Sequence, residues 1–513
     1  MSTFYFDSLN GSDSNTGAST ASPWANYELK KGANIFAGDK VFFKRGTTQI
    51  VNTQYSGHRG GSSAAAPTIL SAYGEGPRPR WLYTGVDWGY IFNAAGLSNT
   101  VFEDQDFDGG GINNTIYLAA QGVGTVTNVT FRRSLFHNTG TKSGLTIAKE
   151  SSATTASISG IVIEESDFYD CGEHGLISLA STGVRVRRSR AWNNGANAGT
   201  GGGHGFSSRW NRSDVTSGWT LVSGTTYKRT LTAAEIAENK IGYVQLNFVA
   251  NRLRATENTV TPSVLATDEY GVLAGELYLN AGVNPNGTSV RYAFHRCANI
   301  IYEDCQAWSN RVNAASQFQE GNGFAFDDFT EDSRATRCRA WNNEGRGFSV
   351  NRGDRNIVED SASWANGLTG LSSNTSKNSV IRRSTFVFNS IGNPLTPVLG
   401  TANEIYFSPQ AQATITQSVL AANAGSQACI GDAVATITAD KCSFSGAVAA
   451  LVAVPTNTVA GAQLITAEGR PKAGSPLLAA GTHSGYRRDV LRIQRNKPPA
   501  IGAYDVASVV RRP

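Results

Sequence analysis

Long apolar segments, charged residues and methionine are all scarce in this sequence. No apolar run approaches the roughly 18 residues that a membrane-spanning helix needs, so we expect no membrane span. The 513 residues include a single methionine and 17% charged residues, against 55 glycines and 40% hydrophobic residues. This composition is typical of an elongated all-β protein with a continuous core.

A charged leader, a coiled-coil segment and a terminal trimerisation segment are not evident either. The opening MSTFYFDSLNGSDSNTG therefore predicts no signal peptide in this sequence. We expect an extracellular or virion-associated protein, either a phage component that needs no Sec export or a protein whose signal has been removed. The expected state is a monomer or a homotrimer. The six cysteines have no spacing typical of a metal or redox site, and we expect Cys305 and Cys338 to be buried thiols on neighbouring repeats.

The segment 333–388 repeats with a period of 23 residues. Trp341 and Trp364 occupy the same position of the repeat, and so do Gly347 and Gly370. Each repeat contains short alternating apolar runs separated by Gly and Asn, which is typical of strands and turns. Two or three such strands in each repeat describe one rung of a parallel β-helix.

A charged pair in the first strand of each rung changes sign from rung to rung. The pairs are Glu103-Asp104, Arg132-Arg133, Glu164-Glu165, Arg187-Arg188, Glu303-Asp304, Thr336-Arg337, Glu359-Asp360 and Arg382-Arg383. Stacked rungs lie about 4.8 Å apart, so opposite charges on neighbouring rungs attract each other. We predict that these pairs form a solvated structural ladder rather than a site of chemistry.

An aromatic column and an asparagine column follow this strand. Their members are Tyr169, Trp192, Trp308, Trp341 and Trp364, and then Asn194, Asn310, Asn343, Asn366 and Asn389. Asn tolerates left-handed backbone and bonds to its neighbours, so its column predicts a repeated tight turn with stacked amides. We expect the tryptophans to pack against one another rather than to act as platforms for sugars.

The repeat pattern divides the chain into five parts. Residues 1–98 are an N-terminal cap with the first rungs, and an amphipathic helix over 24–35 is expected to cover the open end of the stack. Rungs fill 99–210 and continue over 297–450. Residues 211–296 are predicted to form an inserted β-rich lobe, and 451–513 to close the fold. Because the lobe leaves between two rungs, the segments 204–210 and 322–328 should be adjacent in space.

Three segments within 1–98 carry a family resemblance: YFDSLNGSDSNTGASTASPWAN, AGDKVFFKRGTTQ and PTILSAYGEGPRP. They resemble the N-terminal cap of right-handed parallel β-helix proteins of the pectate-lyase-like superfamily, and GSPLLAAG and PAIGAYD resemble its closing segment. The resemblance implies an all-β, right-handed parallel β-helix, or solenoid. It selects no chemistry, because the superfamily includes lyases, hydrolases, epimerases and phage tailspikes.

The second strand of each rung carries the candidate site. Its outward positions hold polar residues, including Ser207, Ser349 and Asn351, and long loops before Gly205 and Gly323 would form the walls of a groove. The candidate catalytic residues are His204, Arg209, Glu320, Asp327 and Asp328. The candidate substrate-binding residues are Lys149, His174, Asn322, Arg346 and Arg352. A linear groove suits a polymer, and these side chains suit a polysaccharide.

The favoured reaction is β-elimination of an acidic polysaccharide. It needs a cation to neutralise the uronate carboxylate, a base for the adjacent proton and an acid for the departing oxygen. Arg209, Arg346 or Arg352 could neutralise, and His204 could be the base. Alternatively, a Ca²⁺ ion could neutralise the carboxylate, held by Glu320, Asp327 and Asp328. The net charge of +5 and the pI near 8.8 favour an acidic partner.

Two other functions stay open. A glycoside hydrolase would use a carboxylate pair drawn from Glu320, Asp327 and Asp328, whose separation determines whether configuration is retained or inverted. A non-catalytic glycan-binding or phage attachment protein, similar to a tailspike, would bind the polymer without cleaving it. Nucleic-acid binding is not expected, because acidic columns match the arginine columns and leave no basic stripe.

Overall fold

The computed structural model is a right-handed parallel β-helix with a lobe inserted between two of its rungs. It describes residues 1–453 with the exception of 32–33, 56–59, 86–88, 112–113, 122–123, 151–154, 197–202, 237–240, 242–243, 247–251, 256–264, 268, 313–320, 392–402, 409–410, 423–426, 432–434, 446 and 449–451. The predicted closing segment 451–513 thus lies almost entirely outside the described residues. No helix within the described ranges is long and apolar enough to cross a membrane.

Three long parallel sheets form the sides of the stack. Among described residues, the first sheet contains Thr3–Phe6, Lys40–Lys44, Thr68–Tyr73, Thr100–Glu103, Val129–Arg132, Ile161–Glu164, Val184–Arg187, Ile301–Glu303, Arg334–Thr336, Ile357–Glu359, Ser379–Arg382, Gln412–Thr416, Thr436–Asp440 and Val452–Ala453. The second contains Thr48–Val51, Arg80–Tyr83, Asp106–Asp108, Leu135–Thr139, Asp167–Cys171, Arg190–Trp192, Gln306–Trp308, Arg339–Trp341, Ala362–Trp364, Thr385–Val387, Val419–Ala421 and Ser443–Ser445. The third contains Tyr90–Asn93, Asn114–Ala120, Leu145–Lys149, Leu176–Leu179, Phe206–Arg209, Phe324–Phe326, Phe348–Asn351, Leu371–Asn374, Asn403–Phe407, Gln427–Gly431 and Ala447–Val448.

Two short parallel pairs of strands supplement these sheets. They join Thr125–Thr127 to Ser157–Ser159 and Cys297–Ala298 to Thr330–Glu331. Inward side chains from all three sheets form one continuous hydrophobic core, in which Phe102 stacks on Phe131 of the next rung. The stack is therefore held together along its length by contacts between neighbouring rungs.

The rungs before and after the lobe pair directly with each other. In the third sheet Phe206, Ser207 and Ser208 pair with Phe324, Ala325 and Phe326. The first and second sheets continue across the same gap. The predicted adjacency of the segments 204–210 and 322–328 is confirmed, and every candidate site on this face depends on it.

The lobe has a sheet and a core of its own. Its strands are Asn211–Val215, Thr220–Ser223, Thr226–Thr230, Val244–Leu246, Arg252–Ala255, Glu269–Leu273, Glu276–Asn280 and Val290–Phe294, with a helical turn at Ala233–Ile236. Strand Asn211–Val215 leaves the stack and pairs antiparallel with the returning strand Val290–Phe294. Trp219, Leu277 and Tyr292 lie in the buried core of this sheet.

The helix expected over 24–35 is much shorter in the structure. Among the described residues of this range, only Tyr27–Lys30 is helical, with Asn26 as the N-cap that accepts from the backbone N–H of Glu28. Trp24 forms an isolated β-bridge with Phe6, so the backbone is still extended there and a helix can begin only after it. Leu29 is exposed, which shows that the apolar face is not fully buried. The prediction that the helix begins at residue 24 was wrong for this reason.

The charge ladder of the first sheet forms as predicted, with opposite charges in contact. Arg133 donates to Asp104 at 2.8 Å, and Arg383 donates to Asp360 at 2.9 Å. The second member of each pair has left-handed backbone: Asp104, Arg133, Glu165, Arg188, Asp304, Arg337, Asp360 and Arg383. The expectation that the ladder is solvated fails over three successive rungs, where Thr336, Glu359, Asp360 and Arg383 are buried and the two carboxylates have no exposed surface. Paired arginines compensate these buried carboxylates there.

The asparagine column forms a ladder of amides that lies close to the glycines of the neighbouring rungs. Each Asn side chain donates to the next along the stack, as Asn343 does to Asn366 at 2.9 Å, so the predicted amide ladder is confirmed. A Cβ on Gly205 would lie 2.9 Å from Nδ2 of Asn310 on the following rung. Glycine therefore precedes this third-sheet strand because the carbonyl oxygen of Gly323, 2.8 Å from such a Cβ, and the amide of Asn310 need that space.

The aromatic column packs against itself. Tyr169, Trp192, Trp308, Trp341 and Trp364 stack in order with ring centroids 4.7 to 5.2 Å apart and planes within 7°, and His137 extends the stack at Tyr169. Each ring covers the faces of its neighbours, so the predicted packing of the tryptophans against one another is confirmed. Cys305 and Cys338 are buried free thiols, as expected.

Candidate functional site

The candidate site lies on the outer face of the third sheet, where two columns of polar side chains cross the lobe junction. One column contains Ser207, Ser349 and, between them, the apolar Ala325 in direct register, and none of the three has exposed surface. Beside it, Arg209 ends the strand of its rung, and Asp327 and Asn351 follow on the next two rungs. His204, at the entrance to the strand of Arg209, approaches Asp327 of the next rung.

His204 and Asp327 are in contact although 123 positions separate them in sequence. His204 Nε2 lies 3.4 Å from Asp327 Oδ2. His204 Nδ1 accepts from the backbone N–H of Asn322 at 3.3 Å, which places the ring proton on Nε2. Both ring nitrogens are thus engaged, so His204 donates to Asp327 in this structure. A role for His204 as the proton acceptor would require this contact to rearrange.

Asp327 is a buried carboxylate surrounded by donors. Its Oδ1 accepts from Asn351 Nδ2 at 2.6 Å and from Ser349 Oγ at 3.4 Å. Burial alone would raise the pKa of Asp327, but the hydrogen bond from His204, that from Asn351 and the charge of Arg209 outweigh it and lower the pKa. The side chain of Asp327 remains 10% exposed. The site therefore presents an ionised carboxylate at the edge of the accessible face.

His174 stacks under His204 and offers a second donor. The two rings are 4.9 Å apart, and His174 Nδ1 accepts from the backbone N–H of His204 at 3.1 Å. Burial, followed by the nearby His204 and Arg209, lowers the pKa of His174 well below its ordinary value, so the ring is neutral with its proton on Nε2. His174 Nε2 and Ser207 Oγ are both buried and have no hydrogen-bond partner among the described residues. Buried donors of this kind are rare unless a ligand or water completes them.

Arg209 has a partner that the sequence did not indicate. Its guanidinium lies 3.9 Å from Glu173 Oε1, and the two side chains are 32% and 25% exposed. Glu173 also lies 3.7 Å from His174 Nε2 and accepts from Ser143 Oγ at 3.4 Å. Glu173 sits in the turn before the strand, where no column pattern marks it, and its proximity to the candidate Arg209 is visible only in three dimensions.

The remaining candidates have other surroundings. Arg352 forms an ion pair with Asp328. Asn322 is buried, and its Oδ1 accepts from the backbone N–H of Arg346 at 2.8 Å, so Asn322 holds the backbone rather than facing the groove. Lys149 is buried, at 6% exposure. Glu320 lies outside the described residues.

These contacts do not favour a calcium site. Asp328 is neutralised by Arg352, and Asp327 is engaged by Asn351 and His204. Within the described part of the chain, no group of three His, Cys, Asp or Glu side chains could hold a metal ion. The described residues therefore do not fit the ion, and the calcium hypothesis stays a prediction that includes Glu320.

Comparisons with known proteins show no family for this chain. No protein-family model matches the sequence, and no curated protein matches it. Among solved structures, the chain is similar to a pectate lyase, with 14% identity, 98% of this chain and 96% of that chain covered, and a TM-score of 0.42.

Two other solved structures have comparable similarity. The A-module of a mannuronan C-5 epimerase from Azotobacter vinelandii has 11% identity, with 85% of this chain and 93% of that chain covered and a TM-score of 0.42. The Dettilon tailspike protein has 10% identity, with 82% and 64% covered and a TM-score of 0.44. Similarity at this level assigns no activity. The strand pairing itself identifies the chain as a right-handed parallel β-helix protein, as the sequence resemblance implied.

Proposed function

We propose that this protein cleaves an acidic polysaccharide by β-elimination on the outer face of the third sheet. The observation that carries the proposal is the His204–Asp327 contact beside Arg209, assembled by two rungs on either side of the lobe. In this reaction Arg209 pairs with the uronate carboxylate, which acidifies the adjacent C–H. Asp327 then accepts that proton, the C–O bond at the β-carbon breaks as the C=C bond forms, and the departing oxygen takes a proton from solvent. His204 holds the carboxylate of Asp327 in place by its hydrogen bond.

The electrostatics of the site support this assignment. β-Elimination needs a fixed cation and an ionised base near the same carbon. Arg209 is partly exposed and carries the cation, whereas the lowered pKa of Asp327 keeps its carboxylate ionised. A uronate carboxylate that binds Arg209 would take the place of Glu173, whose contact at 3.9 Å is long for an ion pair.

The unpartnered polar atoms on this face also favour a carbohydrate. His174 Nε2–H and Ser207 Oγ lie buried on successive rungs and have no hydrogen-bond partner within the described structure, Glu173 Oε1 lying 3.7 Å from His174 Nε2. Sugar hydroxyls could accept from the first and both donate to and accept from the second. Polar groups at the spacing of rungs suit a polymer with a regular repeat.

Hydrolysis is less well supported by the described carboxylates. A hydrolase needs one carboxyl group protonated at the start of the reaction, and its pKa is therefore usually raised. Asp327 has a lowered pKa, and Asp328 is held by Arg352. Neither has the surroundings of a general acid.

The test is incubation of the protein with a panel of acidic polysaccharides, followed by ultraviolet absorbance of unsaturated uronates and by a reducing-end assay. We expect both signals to grow with the wild type and to vanish for Asp327→Asn and Arg209→Ala. Asp332→Asn is the matched control, because Asp332 forms a partly exposed ion pair with Arg355 elsewhere on the stack. Reducing ends without absorbance would indicate a hydrolase, and binding without either signal a non-catalytic attachment protein. Both outcomes would overturn the proposal.

A further inference from the structure

A small apolar cluster joins the inserted lobe to the candidate site. Trp210, Ala293 and Phe329 form a buried cluster separate from the cores of the stack and the lobe. Trp210 directly follows Arg209, and Phe329 follows Asp327 by two residues. Ala293 belongs to Val290–Phe294, the strand by which the lobe returns to the stack. We call these three residues the joint.

Hydrogen bonds tie the same segments together at the backbone. The thiol of Cys297, just after the returning strand, donates to the carbonyl oxygen of Arg209 at 2.9 Å. Cys297 also pairs with Thr330 in a short parallel ladder. The hydroxyl of Thr330 lies 2.6 Å from the carbonyl oxygen of Asp327 and 3.0 Å from that of Ser208. The exit of the lobe is therefore fastened to the backbone of both candidate catalytic residues.

The backbone at the joint departs from the pattern of the other rungs. In three other rungs, a single residue has positive φ, five positions after the glycine that precedes the third-sheet strand. These residues are Ala180, Arg352 and Thr375. At the rung of Asp327, two successive residues have positive φ, with 26° at Asp328 and 60° at Phe329. A bulky residue in this region costs free energy and persists only when its surroundings hold it. Here the packing of Phe329 against Trp210 and Ala293 keeps the backbone of Phe329 in this conformation.

We propose that the lobe positions Arg209 and Asp327 through the joint, so that loosening the joint misplaces the two groups without unfolding the stack. This inference rests on the proposed function for its kinetic consequence. Trp210, Ala293 and Phe329 are positioning residues, since none of them is placed against the substrate. The lobe is then part of the catalytic apparatus and not a decoration of the stack.

The kinetic test uses Phe329→Ala, Phe329→Leu and the control Phe107→Ala. Phe107 is as buried as Phe329 but lies in the core several rungs away from the lobe. Displacement of catalytic groups by about 1 Å can cost about 100-fold in rate. We expect kcat of Phe329→Ala to fall by that order with a small change in KM, Phe329→Leu to restore most of it, and Phe107→Ala to retain wild-type kcat. Equal losses in both alanine variants would overturn the proposal.

A second readout does not depend on activity. In protein with ¹⁵N-labelled histidine, the Nε2 proton of His204, assigned through His204→Gln, reports its contact with Asp327. Phe329→Ala should shift this signal and speed its exchange with solvent, whereas Phe107→Ala should leave it unchanged. If the wild type cleaves no polysaccharide, the proposed function fails and this signal still decides the role of the joint. An unchanged signal in Phe329→Ala would refute it.

Discussion

Glu404 should make the stability of the C-terminal rungs depend on pH. It stands where the preceding rung has Gly370, since Leu371 pairs with Ile405, and its carboxylate ends the asparagine ladder. Asn389 donates to it from the backbone at 3.1 Å and from the side chain at 2.6 Å. Burial raises the pKa of Glu404 from 4.5 to about 7, and the bonds from Asn389 offset only part of that effect.

The size of the effect follows from this pKa difference. A group with a raised pKa contributes stability that is fully present below its unfolded pKa and is lost as pH rises through the folded one. Between pH 4.5 and 7 the loss amounts to roughly 3 kcal/mol, at about 1.36 kcal/mol for each pKa unit. Glu404→Gln removes the charge and keeps an amide oxygen for Asn389. We therefore expect it to stabilise these rungs by up to roughly 3 kcal/mol at pH 8 and by little at pH 4.5.

Amide hydrogen exchange around Asn389 and Ile405 measures this quantity as an opening free energy. The matched control is Glu359→Gln. Glu359 is equally buried, but Arg382, Arg334 and Thr336 outweigh burial and lower its pKa. Replacing Glu359 by Gln should destabilise the neighbouring rungs near neutral pH, whereas Glu404→Gln should stabilise its own. If the opening free energy of Glu404→Gln exceeds that of the wild type equally at both pH values, or does not exceed it at pH 8, the reasoning is refuted.

Four further predictions concern the site and the columns. His204→Ala removes a donor that lowers the pKa of Asp327, so the acid limb of kcat/KM should move to higher pH; an unshifted limb would remove His204 from the site. Asn343→Ala leaves buried ladder partners without bonds and should cost about 3 kcal/mol in thermal or exchange measurements, whereas a cost near zero would deny the ladder a stabilising role. Trp341→Ala should destabilise the stack by about 2 kcal/mol while polysaccharide binding persists; lost binding would show that the column contacts sugars. Chelation by EDTA should leave turnover intact because Arg352 already neutralises Asp328, and a loss reversed by Ca²⁺ would restore the calcium hypothesis.

Periodic features of this fold were predictable from the sequence. The alternation of charge, the asparagine column and the stacked tryptophans repeat at the spacing of rungs, so each copy supports the same interpretation. The adjacency across the lobe followed from the same register, because a stack leaves no other place for the segment 322–328. These features depend on backbone periodicity alone.

The contacts within the site were less predictable, because they depend on the side-chain conformations of residues at the turns. The outward face was expected to bring His204 and Asp327 together, but the direction of the hydrogen bond between them was not evident. Glu173 lies in a turn whose residues show no repeated pattern from rung to rung. Glu404 stands at the glycine position, and the reason for that glycine is evident only once the asparagine amide of the next rung is located. The short helix at Tyr27–Lys30 was overestimated because the β-bridge of Trp24 is a long-range contact.

The central claim is that Arg209 and Asp327, brought together across the lobe, hold an acidic polysaccharide on the third sheet. A crystal structure of Asp327→Asn with a bound acidic oligosaccharide tests it most directly. We predict that the sugar chain lies against the exposed edge of Asp327 with a uronate carboxylate on Arg209. An oligosaccharide bound along the stacked tryptophans of the second sheet, or on the lobe away from Arg209, would contradict the account.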